Sequence, residues 1–331
     1  MAETRLADVI VPEIFTGYLR EAIVEKSSFF RSNIIVDTPA ISALLDGGGS
    51  TFNLPFWQDL TSTPEIPSET VAVTDNKITT DKQIALRQLG VWKTGSNDLS
   101  AVLAGDDPML AIADYTAEGW IKYYQTLLNG SINGLVLDNV ANFSSDLVND
   151  IFIETTVGQT AANWFSSVAA INTIFKRGDR FDEYVAVAMH SVVYAQAFKN
   201  DLIDFIPDSQ QVPQPTFMGL NVVVDDSVPT RAGTTSGVVY STIFYKAGAF
   251  QYGDSTSRLI GTEVQRDEDK GMGIDYLHTR RHFTIHPVGF EWLSTTTAGT
   301  SPTYAELGLA TNWNRVYDLK NTGFTVLRSN G

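Results

Sequence analysis

The chain reads as an α+β protein carrying one extended appendage, and three observations lead there. Residues 182–229 run as a buried strand, an abrupt turn, an amphipathic helix and a second buried strand. One helix, announced by Gly105-Asp106-Asp107-Pro108, keeps a single apolar stripe over roughly thirty residues. Residues 50–95 hold two strand-like runs around a long polar, proline-bearing stretch, the pattern of an outsized hairpin.

The first segment, residues 1–49, opens with an amphipathic helix expected over 12–25. Pro12 suits the first helical position, and Ile14, Phe15, Leu19, Ala22 and Ile23 recur at helical spacing. A linker ending at Gly47-Gly48-Gly49 follows. In the hairpin, TFNLPFW and KQIALRQLGVW are the expected strands. Two strands alone are marginal in water. Phe52, Phe56, Trp57 and Trp92 near the base can pack on the parent body. The tip, about 61–81, needs another surface, and a neighbouring subunit is the obvious one; Lys77 and Lys82 lie in the same loop.

The long helix, expected over about 106–137, should span about 45 Å at 1.5 Å per residue. Asp before Pro is a start signal. Leu110, Ala113, Ala117, Trp120, Ile121, Tyr124, Leu127 and Leu128 make its stripe, which can continue through Ile132 and Leu135. Gly130 and Gly134 weaken its last turns by about 1 kcal/mol each relative to Ala. A second helix is expected over 161–176, with Trp164, Phe165, Val168, Ile171 and Phe175 inward and Lys176-Arg177-Gly178 as its stop. Residues 184–189 read as a strand covered on both faces. Ser191 is the expected cap of the next helix, whose Val193, Tyr194, Ala197, Phe198 and Leu202 share a side. Strands follow near 217–224 and 238–245. Residues 259–285 form two long strands around the charged turn Asp267-Glu268-Asp269-Lys270-Gly271. The final segment, with strand-like pieces at 315–319 and 323–327, packs back on the body.

Composition narrows the function. At 331 residues and 43% hydrophobic, the chain can bury a sizeable core. No apolar run is long enough to span a membrane, and the acidic N-terminus does not resemble a signal peptide. The absence of cysteine excludes disulfides, thiolate catalysis and cysteine-held metals. A net charge of -15 argues against ordinary nucleic-acid binding, which rests on Lys and Arg neutralising phosphates.

Each enzymatic pattern meets a plainer reading. His278, His282 and His286 lie four apart, but LHTRRHFTIHP is strand-like, and on a strand neighbouring imidazoles stand about 13 Å apart, too far to share a metal. Asp225-Asp226, just before Pro229, suits a turn better than a metal. The cluster 267–269 lacks the Gly and Glu of a calcium loop. His190-Ser191 sits at a strand-to-helix turn without the glycines of a nucleophile elbow. Gly47–49 lacks the Gly-Lys-Ser/Thr of a phosphate loop. No enzyme signature survives, and no cofactor or metal site is expected.

The string VAVAMHSVVYAQAFKNDLIDFIP followed by GLNVVVDDSVP, set in this order of parts, resembles the major capsid proteins of tailed bacteriophages. Their fold is shared with encapsulins and herpesvirus shells. The resemblance covers nearly the whole chain and implies an N-terminal arm (1–49) and an extension loop (50–95). A peripheral domain with a spine helix (96–140 with 258–295), an axial domain (141–257) and a C-terminal segment (296–331) complete it. It implies hexamers and pentamers of an icosahedral capsid around double-stranded DNA. Implied partners are a scaffolding protein, a portal and possibly a decoration protein. DNA is enclosed without specific binding, assembly takes place in the host bacterial cytoplasm, and the product is the virion. A mildly repulsive acidic lining suits packaged polyanion. A cleaved N-terminal scaffolding extension is not expected, nor is a Lys–Asn cross-link. Expected inter-subunit contacts are Phe52, Phe56, Trp57, Lys77, Lys82, Trp92, Asp267, Glu268 and Lys270. An encapsulin-type compartment is the alternative, and a metal-dependent α/β hydrolase using His278, His282 and Asp225 is a weaker one.

Overall fold

The computed structural model describes residue 29 and residues 32–58, 64–67, 69–70, 72, 75, 77–99, 102, 108–207, 213–255, 261–269, 272–295 and 297–331. The helix expected at 12–25, the Gly105-Asp106-Asp107 start signal and Lys270 lie outside them.

Strand β1 (Ile35–Asp37) leads into helix α1 (Pro39–Leu45), whose Pro39 needs no N–H partner in a first turn. The sequence read this stretch as linker, because a seven-residue helix is too short to show periodicity. Strands β2 (Thr51–Trp57) and β3 (Thr80–Leu86) pair antiparallel, with Thr51 opposite Leu86 and Trp57 opposite Thr80. The run expected as one strand over 82–92 breaks at Arg87, and β4 (Gln88–Asn97) leaves the hairpin for another sheet.

Helix α2 spans Pro108–Asn142, 35 residues or about 52 Å, longer than its sequence promised. Trp120, Tyr124, Leu127, Leu128, Ile132, Leu135 and Val136 are buried in the main core, while Ile121, expected inside, is 40% exposed. The two glycines that weaken the helix in isolation are spaces for other parts of the chain. A Cβ on Gly130 would lie 2.9 Å from the Tyr304 ring, and one on Gly134 would strike the Leu307 carbonyl and the Trp313 ring. Trp313 donates its indole N–H to that same carbonyl at 2.7 Å. Tertiary approach therefore outweighs helix propensity here.

Beyond α2 come β5 (Val148–Asp150), α3 (Ser167–Ile174), β6 (Tyr184–Met189), α4 (Ser191–Lys199), β7 (Asp204–Pro207) and β8 (Pro213–Phe217). Then follow β9 (Leu220–Val224), β10 (Thr230–Ala232), β11 (Val238–Lys246), β12 (Phe250–Asp254), β13 (Thr262–Asp267) and β14 (Ile274–Pro287). The chain closes with β15 (Phe290–Trp292), α5 (Tyr304–Leu307), β16 (Trp313–Arg315) and β17 (Phe324–Ser329).

Two of the expected helices need correction. The one at 161–176 begins only at Ser167, because Ser166 Oγ accepts from the Ala169 N–H and fixes the start there. Its buried face is Ala169, Ala170, Thr173 and Ile174, with Phe165 just before it, whereas Trp164, Val168, Ile171 and Phe175 face outward. Small residues make the tight contact with the sheet and the large ones are left outside. The α-helix ends at Ile174, a 3-10 turn follows from Phe175, and Gly178 breaks it with a non-helical φ of 69°, so Lys176-Arg177-Gly178 does mark a stop. In α4 the cap is His190, not Ser191: His190 Nδ1 accepts from the Val192 N–H at 3.2 Å, and Asp226 accepts from the Ser191 N–H at 3.0 Å. Val193 and Ala197 are buried, while Phe198 is more than half exposed.

A five-stranded sheet runs β1-β12-β14-β13, with β4 added along β14 from Ile274 to Phe283. An eight-stranded mixed sheet runs β5-β17-β11-β6-β9-β8-β7, with β10 on β11. The segment after 313 thus supplies a central strand: β17 lies between β5 and β11, and all six of its residues are buried. Helix α2 joins the sheets in one core, which takes Phe283 and Ile285 from the first and Ala186, Ala188, Ile243 and Val326 from the second. On the other face of the eight-stranded sheet, α3 and α4 enclose a second core around Phe217, Phe244 and Leu327.

Candidate functional site: the hairpin and its anchorage

The hairpin is fixed at one end, and the described residues of its far end are exposed. At the base, Phe52 is buried with Ile41, Leu45 and Ala85, and Phe56 meets the Tyr317 ring edge-on at 4.6 Å. Gln83, 5% exposed, accepts from the Gly289 N–H at 3.0 Å and lies 3.2 Å from His286 Nε2. Thr284 Oγ1 donates to the Leu86 carbonyl at 2.6 Å, and the Ile285 N–H donates to Gln88 Oε1 at 3.2 Å. Arg87 reaches the Leu44 carbonyl at 3.3 Å. A two-stranded ribbon that cannot hold itself is thus fastened by polar contacts that apolar slip would break.

Farther out, the Gln58 N–H donates to the Thr79 carbonyl at 2.9 Å, and Thr79 Oγ1 donates to Gln58 Oε1 at 2.7 Å. There the apolar side chains face water: Trp57 is 71% exposed, Ile66 92% and Ile78 59%. Lys77 and Lys82 are also exposed. The described end of the arm thus exposes three large apolar side chains. Ile66 and Ile78 were missed by sequence reasoning. Their signal was an isoleucine between Pro64 and Pro67 and another beside Lys77, in a stretch dismissed as polar.

The remaining candidates fall elsewhere. Trp92 lies on β4, packs edge-on to Trp120 at 5.8 Å and remains 43% exposed. Asp267 and Glu268 sit at the β13–β14 turn, where Asp267 Oδ1 accepts from the Asp269 N–H at 3.2 Å. Beside them Arg266 grips Asp275 through two 3.0 Å bonds and also pairs with Asp98. These groups are not brought together with the hairpin tip.

The histidines are distributed singly along β14. His278 Nε2 faces Gln265 at 3.2 Å, and His286 faces Gln83. Burial and nearby Arg87 push His282 below its ordinary value. Among the described residues, no three His, Asp or Glu side chains are grouped to hold a metal. Asp225 Oδ1 accepts from both the N–H and the hydroxyl of Ser227 at 2.7 Å, a turn-forming role. Among the described residues no helix is long and apolar enough to cross a membrane.

Desolvation pushes His286 down to about 3. Above pH 6.5 its imidazole is neutral in both states and adds no pH dependence. Between 6.5 and about 3 the unfolded chain takes up a proton that the folded one refuses, so stability falls as pH falls. The slope is about 1.4 kcal/mol per pH unit. His286→Gln keeps a donor for Gln83 and removes this contribution. Denaturant titrations across that window should show a shallower pH slope in the variant; equal slopes would clear His286 of the effect.

A rigid α+β body, a long helix tying two sheets and an anchored arm with exposed apolar side chains make up the molecule. The same fold occurs in shell proteins of phage heads. The capsid of Ralstonia phage GP4 superposes with TM-score 0.57 at 8% identity, covering 86% of this chain and 84% of that one. The head structure of Helicobacter pylori bacteriophage KHP40 gives 0.54 at 9% identity, covering 93% of each chain. The profile of the Gp13-like family, "Major capsid protein 13-like", matches residues 106–323. The major capsid protein of Bacillus phage SPP1 is 34% identical over 325 residues, 97% of this chain and 96% of that protein. The chain belongs to the Gp13-like family of tailed-phage major capsid proteins.

Proposed function

We propose that the chain assembles into hexamers and pentamers of an icosahedral capsid enclosing double-stranded DNA, with no catalytic role. The observation that carries this reading is the 34% identity to a phage major capsid protein along nearly the whole of both chains. It favours a DNA-filled head over an enzyme-loaded compartment, because the relative is a phage coat. The hairpin end, with Trp57, Lys77 and Lys82, rests on the adjoining subunit. Trp92, Asp267 and Glu268 contribute elsewhere on the shell, and Phe52 and Phe56 hold the arm to its own body. The net charge of -15 keeps the wall from holding packaged polyanion. A scaffolding protein guides closure in the host cytoplasm, a portal admits the DNA, and a decoration protein is a further possible partner.

The test is electron microscopy of particles formed by the expressed chain, alone and with a candidate scaffolding protein. Closed hollow shells of one size, with five-fold vertices, are expected. Small soluble oligomers alone, under conditions where the scaffold is folded and present, would refute the proposal.

A further inference from the structure

Copies of one chain arranged in a ring meet head to tail, so every subunit must offer two unlike faces that fit each other. The eight-stranded sheet carries an exposed apolar strip at each of its two ends. The first lies on α3, which covers β5 and β17. Val168, Ile171 and Phe175 follow each other at helical spacing on its outer side, and Phe181 packs on Phe175 with ring centroids 4.8 Å apart. Val168 is 66% exposed and the other three are each more than a third exposed. The second strip lies at the far end, on α4 and edge strand β7. Phe198 meets the Phe205 ring edge-on at 6.3 Å, Ile206 follows on the same edge strand, and all three are more than half exposed. Six strand spacings separate β5 from β7, about 29 Å at 4.8 Å each.

The charges around the two strips differ in the sense such a contact needs. Lys176, Arg180, Lys246 and Lys320 adjoin the first against Asp179, Asp182 and Glu183, a surplus of one cation, while Arg177 is buried and paired to Glu183. Lys199 alone stands against Asp201 and Asp204 beside the second. Two copies presenting the same strip to each other would leave like-signed surpluses facing. A copy presenting its first strip to the second strip of the next pairs opposite signs and covers all seven apolar side chains. Strips of this size left in water would be an aggregation hazard, which capsid assembly removes.

We infer that the lateral contact within a capsomer joins the Val168–Ile171–Phe175–Phe181 strip of one copy to the Phe198–Phe205–Ile206 strip of the next. This rests on the capsid reading and adds to it which surfaces meet and in what sense. The chain has no cysteine, so introduced thiols report contacts without background. In oxidised particles of F175C/F198C, non-reducing gels should show a ladder of covalent multimers, and particles of either single variant should remain monomeric on the gel. Particles co-assembled from the two single variants should give dimers and nothing larger.

Intact particles without a ladder would overturn the contact while leaving the capsid reading in place. Cross-links from F175C alone would show like strips meeting and would equally overturn it. If the cysteine pair blocks assembly, the charge variants decide. Phe175→Lys and Phe198→Glu should each abolish particles while leaving the melting curve of the subunit unchanged, and their combination should restore them. Normal particles from either single charge variant, or none from the pair, would sink the proposal. Failure of the unmodified chain to form any shell would instead count against the capsid reading.

Discussion

Replacing residues 59–78 by an Asn-Gly turn should leave a folded, soluble subunit that builds no normal shell. Gln58 and Thr79 already face each other across the ribbon, with a 2.9 Å backbone bond between them. A two-residue turn of that composition therefore closes the strands in register. The anchor is untouched, since Phe52, Gln83 and Leu86 all lie on the near side. The described residues removed are all exposed, and the expected change in unfolding free energy is within about 0.5 kcal/mol, as for surface changes generally. The Ile66 and Ile78 side chains go, along with Lys77, and with them most of the apolar surface of the tip. Sedimentation and electron microscopy would show free subunits or small irregular oligomers. Shells of normal size from this variant would mean the arm serves no inter-subunit purpose.

Gly134→Ala should destabilise the subunit by about 1–3 kcal/mol, the usual cost of forcing a methyl into a filled core. Helix propensity alone gives the opposite sign, a gain of about 1 kcal/mol for Gly to Ala in a helix interior. The clash wins because the atom in the way is the Leu307 backbone carbonyl, which is itself held by the Trp313 indole. A flexible side chain could rotate aside, and this carbonyl cannot without breaking that bond. Gly261→Ala is the control, because a Cβ there meets only the Arg280 carbonyl, at an ordinary 3.8 Å. Denaturant midpoints of the two variants would separate the explanations. A stabilised Gly134→Ala would mean propensity governs this helix and the close packing is incidental.

Legibility in the sequence followed the range of the forces involved. Helix α2 and strands β6, β11 and β14 were readable because their burial is continuous and their periodicity long. The burial of α3 was misread, as its large apolar residues were assumed to point inward. Nothing local reveals that Ala169, Ala170 and Thr173 are the side chains small enough to sit against β17 and β5. The break at Arg87 was equally hidden. A run of strand-forming residues looks uniform, and only tertiary pairing hands its first half to the hairpin and its second half to β14. Of the arm, the base and the two lysines were foreseen and the isoleucines of its end were not. The last strand was placed on the body, but its central position depends on partners at Val148 and Tyr240, far away in the chain.

That position of β17 has a consequence for how the particle is made. On the ribosome, every other described strand emerges before it, and the eight-stranded sheet waits with a gap between β5 and β11. Until residues 324–329 leave the exit tunnel, α3 lacks a strand it packs against. A nascent or prematurely terminated chain therefore lacks the rigid surfaces that a neighbour would recognise. A chain stopped short of residue 324 is expected to stay out of the wall.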